Sequence, residues 1–160
     1  MPSARYAIPA DAAAWNTHLT RVVSGQTIIQ ELALDFGEVS DLSSSGLQVL
    51  WQMGVRGVMG FDDANVLRCV ILARPEADGW EVILIAADKR LNATQRLAAM
   101  RFLLGWISAN TPPATRIFGV VKIGGRIDTF MTGKLSGRID LGTGFVRFET
   151  TSQELAVAVA

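Results

Sequence analysis

The chain has few of the residues that most often build metal sites and disulfides. Its 160 residues include one cysteine, Cys69, and one histidine, His18. A single cysteine excludes an internal disulfide framework. A lone histidine with no cysteine and no second histidine nearby does not make a metal site. We therefore expect no metal and no cofactor, with Cys69 a packed thiol inside a strand and His18 on the flank of a helix.

Charge is also scarce, and neither sign is in excess. Charged residues make up 19% of the chain, with 15 Lys and Arg against 15 Asp and Glu, where soluble domains average about 25%. This balance argues against a nucleic-acid partner or a basic membrane surface. The share of hydrophobic residues, 49%, favours a protein partner or self-association instead.

Two further absences bear on location. No apolar run reaches the roughly 18 residues that a membrane span requires. No charged-then-apolar leader begins the chain. The sequence therefore predicts a cytoplasmic protein.

What is present is a pattern of apolar runs that predicts alternating strands and helices. Strands are predicted at 6–8, 28–36, 66–73, 80–87, 116–123, 126–131, 134–141 and 145–149. Helices are predicted at 11–25, from 46 to a loosening end within 53–60, and at 92–109, and the tail after 149 is a last strand or a docking segment. The turn at Asp78-Gly79 joins the clearest hairpin.

The length and the element order predict one domain over residues 1–160. Its fold class is α/β or α+β, with a single mixed β-sheet, about three helices packed on it and a β-rich C-terminal third. The long helix after Asn92 is apolar almost all round, which is typical of a central or covered helix.

A short repeat lies in the C-terminal third, where Gly125-Arg-Ile-Asp128 recurs as Gly137-Arg-Ile-Asp140. A period of twelve is typical of one strand and one turn in a β-meander. Arg126 and Arg138 then either form cross-strand pairs with the repeat's aspartates or build a binding site for an anion or a polar ligand.

Catalytic motifs are missing. No Gly-rich loop stands between a strand and a helix with a Gly-Lys-Ser/Thr ending, and no Gln/Arg-x-x-Gly-x-Gly/Ala run of the acetyltransferase type occurs. No paired acid and base stands out either. The sequence therefore favours a non-catalytic protein over an enzyme.

Three consecutive serines, Ser43, Ser44 and Ser45, precede an apolar run that starts at Gly46. A serine in this position caps a helix N-terminus, where free N–H groups and the helix dipole favour negative charge. The serines either cap the helix alone or include a phosphorylation site, since a phosphate would be stabilised there.

The stretch 34–50, LDFGEVSDLSSSGLQVL, resembles the signature of STAS domains, the anti-sigma-factor-antagonist family. The resemblance covers residues 5–58, and 61–160 hold the hairpin, the apolar helix and the β-rich end. It implies that Ser44 matches the phosphorylated serine and that this corner docks onto a partner protein. Ser43 stands where the family usually has an acidic residue.

These observations lead to one expected function and two alternatives. We expect a non-catalytic protein–protein interaction module whose serine-containing docking corner, Ser43 to Gly46, can serve regulation. One alternative is a structural subunit of a large homo-oligomeric assembly, such as a virion, a phage or a secretion apparatus. The other is a small acyl-coenzyme-dependent transferase with a cleft between the sheet and the helix after Asn92.

Overall fold

The computed structural model of the chain describes residues 2–11, 19–23, 51–52, 54–88 and 90–160. The predicted strand at 28–36, the start of the next helix and the serine corner at Ser43, Ser44, Ser45 and Gly46 lie outside the described residues. His18 lies outside them as well.

The described residues form one mixed sheet of eight strands, with three α-helices. The strands are β1 Ser3–Tyr6, β2 Leu19–Val23, β3 Arg56–Phe61, β4 Leu67–Glu76, β5 Gly79–Asp88, β6 Arg116–Lys122, β7 Gly137–Asp140 and β8 Phe145–Thr151. The helices are α1 Ala93–Ala109, α2 Arg126–Met131 and α3 Ser152–Val159, and Pro9–Asp11 form a 3₁₀ turn. The sheet order is β1-β3-β4-β5-β6-β8-β7, and β2 pairs with β5 beside this path. This confirms the predicted fold class.

The hairpin of β4 and β5 is the longest antiparallel ladder among the described strands, and it confirms the sequence prediction. Its arms run from Cys69 opposite Ala87 to Glu76 opposite Gly79. Both arms are rich in Val, Ile and Leu, which suit the pleated, half-buried surface of a central strand. Cys69 is buried, and burial raises the pKa of its thiol to about 12, so it is a packed thiol as expected.

The predicted helix after Asn92 is confirmed as α1. The Asn92 side chain accepts from the Gln95 backbone N–H, and the Gln95 side chain accepts from the Asn92 N–H, each at 2.9 Å. This capping box satisfies two donors at the helix start. Met100, Leu103 and Leu104 of α1 are buried against the sheet.

Helix α3 packs against α1 from the other end of the chain. Leu155 and Val159 join the same core as α1, and Arg101 donates to the last carbonyl, Ala160 O, at 2.8 Å. The tail was predicted as a strand or docking segment, and the strand was wrong. It is a helix because Thr151 caps it by accepting from the Glu154 N–H at 3.2 Å.

Two predictions in the N-terminal half were wrong where the structure describes it. Leu19–Val23 is a strand rather than part of a helix, and its β-branched residues Thr20, Val22 and Val23 suit that state. Arg56–Phe61 is a strand rather than a loosening helix end, because the helical residues Trp51 and Gln52 are followed by Gly54 at φ +88°. The first strand also begins earlier than predicted, at Ser3.

The predicted β-meander of twelve-residue period was wrong. The first copy of the repeat opens helix α2 and only the second lies in a strand, β7, which pairs with β8. The reason is local: the Asp128 carboxylate accepts from the Gly124 N–H at 2.9 Å and so closes the first turn of α2.

None of the helices in the described ranges is long and apolar enough to cross a membrane.

A fork in the sheet as candidate active site

Strands β5 and β6 start side by side and then separate. They are parallel neighbours from Gly79 opposite Arg116 to Val82 opposite Gly119. Beyond this point β6 continues to Lys122 alongside β8, whereas β5 continues to Asp88 alongside β4. We call this opening the fork. Within it, the edge of β5 at Leu84–Asp88 pairs with β2 instead of β6.

A β-bulge lies at the base of the fork. Leu72 of β4 is opposite Leu84, but the next residue, Ala73, is opposite Val82. Ile83 is therefore the extra residue on β5. A bulge bends its strand and re-aims the backbone groups beside it, which accounts for the separation of β5 from β6 after Val82.

On the face covered by α1, an apolar cavity of about 60 Å³ lies beneath the fork. Ile85, Val121, Leu104 and Met131 line it, one each from β5, β6, α1 and α2. Such a lining excludes water and suits an apolar ligand group.

On the opposite face, Glu81 stands at the base of the fork. Val82 packs on the α1 side, and alternation along the strand turns Glu81 to the other side. Glu81 is 3% exposed. Burial raises the pKa of its carboxyl above the ordinary 4.5, and a hydrogen bond of 2.7 Å from Arg74 Nη2 only partly offsets this.

The upper end of β5 is fixed by a buried ion cluster around Asp88. This carboxylate is fully buried and pairs with both Arg68 and Arg90. Arg90 donates from Nη2 at 2.9 Å and from its backbone N–H at 2.9 Å. Burial alone would raise the pKa of Asp88, but these hydrogen bonds outweigh it and lower the pKa to about 2.

The sequence had pointed to other residues. Arg138 lies away from the fork and makes two bonds to the buried Asp128, Nε to Oδ1 at 3.0 Å and Nη2 to Oδ2 at 3.1 Å. The second copy of the repeat thus pairs with the first. Arg126 is the first residue of α2. A ligand site at Arg126 and Arg138 stays a prediction.

Sequence reasoning missed Glu81 and Asp88, the two acids that β5 carries into the interior. A signal was available: Glu81 stands between Trp80 and Val82 in an otherwise apolar run, WEVILIAAD. A charged residue inside a central strand is seldom buried without a partner or a role.

Comparison with known proteins shows which solved structures share this fold. No protein-family model and no curated protein sequence matches the chain. Solved structures do. A GNAT superfamily phosphinothricin acetyltransferase from Sinorhizobium meliloti, in complex with AcCoA, is 14% identical at a TM-score of 0.54, covering 94% of this chain and 88% of that one. This chain has a GNAT-like fold.

Two further structures with the GNAT-like fold agree. The aminoglycoside acetyltransferase AAC(6')-Ib, with coenzyme A and kanamycin, gives a TM-score of 0.57 at 14% identity over 96% of both chains. The PaiA N-acetyltransferase from Thermoplasma acidophilum, with coenzyme A, gives 0.56 at 10% identity over 94% of this chain and 99% of that one.

This likeness overturns three expectations. The STAS resemblance was wrong, because the chain matches acetyltransferase structures of the GNAT type over 94–96% of its length. The STAS signature covered barely a third of the chain, and short strand-to-helix motifs recur by chance. The non-catalytic interaction module and the assembly subunit were also wrong. The comparisons favour the remaining alternative, the acyl-coenzyme-dependent transferase.

The described residues fit the acyl-bearing part of a coenzyme A thioester. The apolar cavity and the bulge lie together at the base of the fork. On α1, Arg96 precedes Met100 and Leu104 at helical spacing, and Leu104 lines the cavity. Arg96 Nε is buried with no hydrogen-bond partner in the described residues.

The turn from β5 to α1 fits less closely. It has no glycine, its Arg90 is already engaged by Asp88, and the capping box occupies the N–H groups of Asn92 and Gln95. The turn therefore offers few free N–H donors to a diphosphate.

Proposed function

We propose that this chain is an N-acyltransferase that takes its acyl group from a coenzyme A thioester. The observation that carries the proposal is the fork between β5 and β6, with a bulge at its base and an apolar cavity beneath it. The GNAT-like fold supports it, since the neighbours that share this fold are acetyltransferases.

The residues around the fork have separate roles in this proposal. A bound coenzyme A thioester would supply the activated acyl group. The cavity lined by Ile85 and Leu104 keeps water from that group. The bulge leaves Ile83 outside the β4–β5 ladder, and a backbone N–H freed there would stabilise negative charge on the carbonyl oxygen of the thioester.

Glu81 acts as the general base that accepts a proton from the amine acceptor. It lies on the face of the sheet opposite the cavity, one residue before the last pair of β5 and β6. Its raised pKa makes its carboxylate a stronger base than an ordinary one. Because only the ionised form accepts a proton, the rate falls as the pH drops through that raised pKa. Arg74 positions the carboxylate.

The first experiment measures donor binding and transfer separately. Calorimetry with acetyl-CoA gives the dissociation constant, and release of free thiol with a panel of amines gives the rate. Glu81→Gln should lower kcat by about 10²- to 10⁴-fold with donor affinity unchanged, as expected for loss of a general base. An absence of acetyl-CoA binding, or a fully active Glu81→Gln variant, would contradict the proposal.

Glu76 offers the matched control. It also pairs with Arg74, at 3.3 Å, but its side chain is 38% exposed and lies near the turn rather than at the fork. Glu76→Gln should leave kcat within about twofold of the parent, since exposed ion pairs contribute little.

Three expectations from the sequence remain predictions beside this proposal. They are a cytoplasmic location, a protein partner or self-association, and no binding to nucleic acid.

A further inference from the structure

The edge of β5 that faces the fork is already paired. Leu84 to Ala87 pair with β4 on one side. Leu84 to Asp88 also pair with β2, from Val23 opposite Leu84 to Leu19 opposite Asp88. A strand has two edges, and β6 uses the second edge of β5 at Gly79–Val82. Strand β2 therefore occupies the same edge as β6 and lies in the fork.

A strand edge serves one partner at a time. Each N–H on it donates one hydrogen bond, and an extended segment that binds there adds itself to the sheet. The arm of a coenzyme A thioester carries two amide groups and can lie extended. It would compete with β2 for the backbone groups of Leu84–Asp88.

Strand β2 has the features of a segment that can leave. It is five residues long, and the pairing described for it is with β5 alone. A short strand held along one edge has few hydrogen bonds to break, and such segments are the first to open. Strand β6, the partner of the lower half of β5, is in contrast held on both edges, by β5 and by β8.

We propose that β2 is a displaceable strand, which closes the fork without donor and leaves when the donor arm takes its place along Leu84–Asp88. The inference rests on the proposed function, because it needs a donor in the fork. In this proposal β2 competes with the donor. The association constant for the donor is then that of the open fork multiplied by the fraction of molecules in which the fork is open.

Hydrogen exchange with and without acetyl-CoA tests the displacement directly. Without donor, the amides of β2 and of Leu84–Asp88 should both show the protection of paired strands. With saturating acetyl-CoA, Leu84–Asp88 should stay protected while Leu19–Val23 exchange at least about tenfold faster. Ordinary ligand binding changes protection in the opposite direction, so this sign is specific to displacement. Unchanged protection of Leu19–Val23 with donor bound overturns the proposal.

Three single proline variants, at Thr20, Arg21 and Val22, give a second test. In an antiparallel pair, neighbouring residues alternate between facing the partner with their N–H and facing away. A proline that removes one ladder hydrogen bond weakens closure and should tighten acetyl-CoA binding by about two- to tenfold. The affinity for acetyl-CoA should therefore alternate along the strand: Arg21→Pro should differ from both Thr20→Pro and Val22→Pro.

The outcomes separate this inference from the proposed function. If the parent and all three variants bind acetyl-CoA equally, the proposed function stands and the displacement fails. If none binds, the proposed function fails and the displacement fails with it. Alternation in donor affinity supports both.

Discussion

The two halves of β5 differ in what holds them. The lower half, Gly79–Val82, lies between β4 and β6. At its start a side chain on Gly79 would overlap the carbonyl oxygen of Arg116, so the two backbones are in close contact there. The upper half, Leu84–Asp88, has exchanged β6 for the short strand β2 and ends at a buried carboxylate.

This difference assigns different tasks to the two halves. In the proposed function, the close-packed lower half holds the general base Glu81 in a fixed position. In the proposed displacement, the upper half offers the edge at which β2 gives way to the donor. The bulge at Ile83 is the boundary between the two.

The largest effect is expected where the lower half is closest packed. Gly79→Ala places a methyl group in the space of the Arg116 carbonyl, so β5 and β6 must separate at their first pair. We expect a loss of about 3 kcal/mol in the free energy of unfolding, the upper range for overpacking. Urea denaturation followed by circular dichroism measures it.

Gly105→Ala is the control for this change. The added methyl on α1 would lie 3.7 Å from Val159 Cγ2, an ordinary contact. Because alanine favours a helix over glycine, this variant should gain about 0.5–1 kcal/mol. Equal destabilisation by the two variants would show that Gly79 is not specially constrained.

A substitution at the base of the fork should lower the free energy of unfolding less than Gly79→Ala does, and should weaken donor binding more. A methyl group on Gly119 would lie 3.0 Å from the Val82 carbonyl oxygen, so Gly119→Ala must shift β5 by a few tenths of an ångström. We expect acetyl-CoA affinity to fall about tenfold, since misplacement at a reactive site is costly. Calorimetry measures the affinity, and thermal unfolding shows the smaller stability loss.

Gly60→Ala provides the comparison on β3, away from the fork. Its added methyl would be 3.6 Å from Leu103 Cδ1, within normal packing distance. Donor affinity should be unchanged in this variant. A loss as large as that of Gly119→Ala would mean that any glycine in the sheet matters equally, and the fork would lose its special position.

The sequence predicts the parts of this fold that are encoded locally. The hairpin follows from two β-branched runs around Asp78-Gly79, and α1 follows from Asn92 and its apolar stripe. The repeat misled because Gly-Arg-Ile-Asp has no preference strong enough to choose a strand over a helix. In the folded chain, the tertiary pair of Asp128 and Arg138 joins the two copies.

The candidate site was beyond sequence reasoning for a different reason. A fork is a property of two strands that lie 37 residues apart at their first pair, Gly79 and Arg116, and no local pattern reports where parallel strands part. Glu81 gave a local signal as a charge within an apolar run, but its role depends on the bulge beside it.

A pH-dependent effect is expected at the upper end of β5. The pKa of Asp88, lowered from 3.8 to about 2, means that the folded state favours its ionised form. Its contribution to stability is therefore complete above about pH 4 and is lost as the pH falls toward 2. Asp88→Asn should flatten the acid side of the stability profile measured by thermal unfolding between pH 2 and 5.

Asp128 is the control that separates a loss of stability at low pH from an effect specific to the fork. Hydrogen bonds from Arg138 lower the pKa of this carboxyl to about 2 as well, but it lies at α2 and not at the end of β5. Asp128→Asn should flatten the acid side of the profile in the same way and leave hydrogen exchange at Leu84–Asp88 unchanged. Asp88→Asn should raise that exchange by a few-fold, because the carboxylate that anchors the upper half is gone. Equal exchange in the two variants would mean that Asp88 does not anchor the edge on which donor and β2 compete.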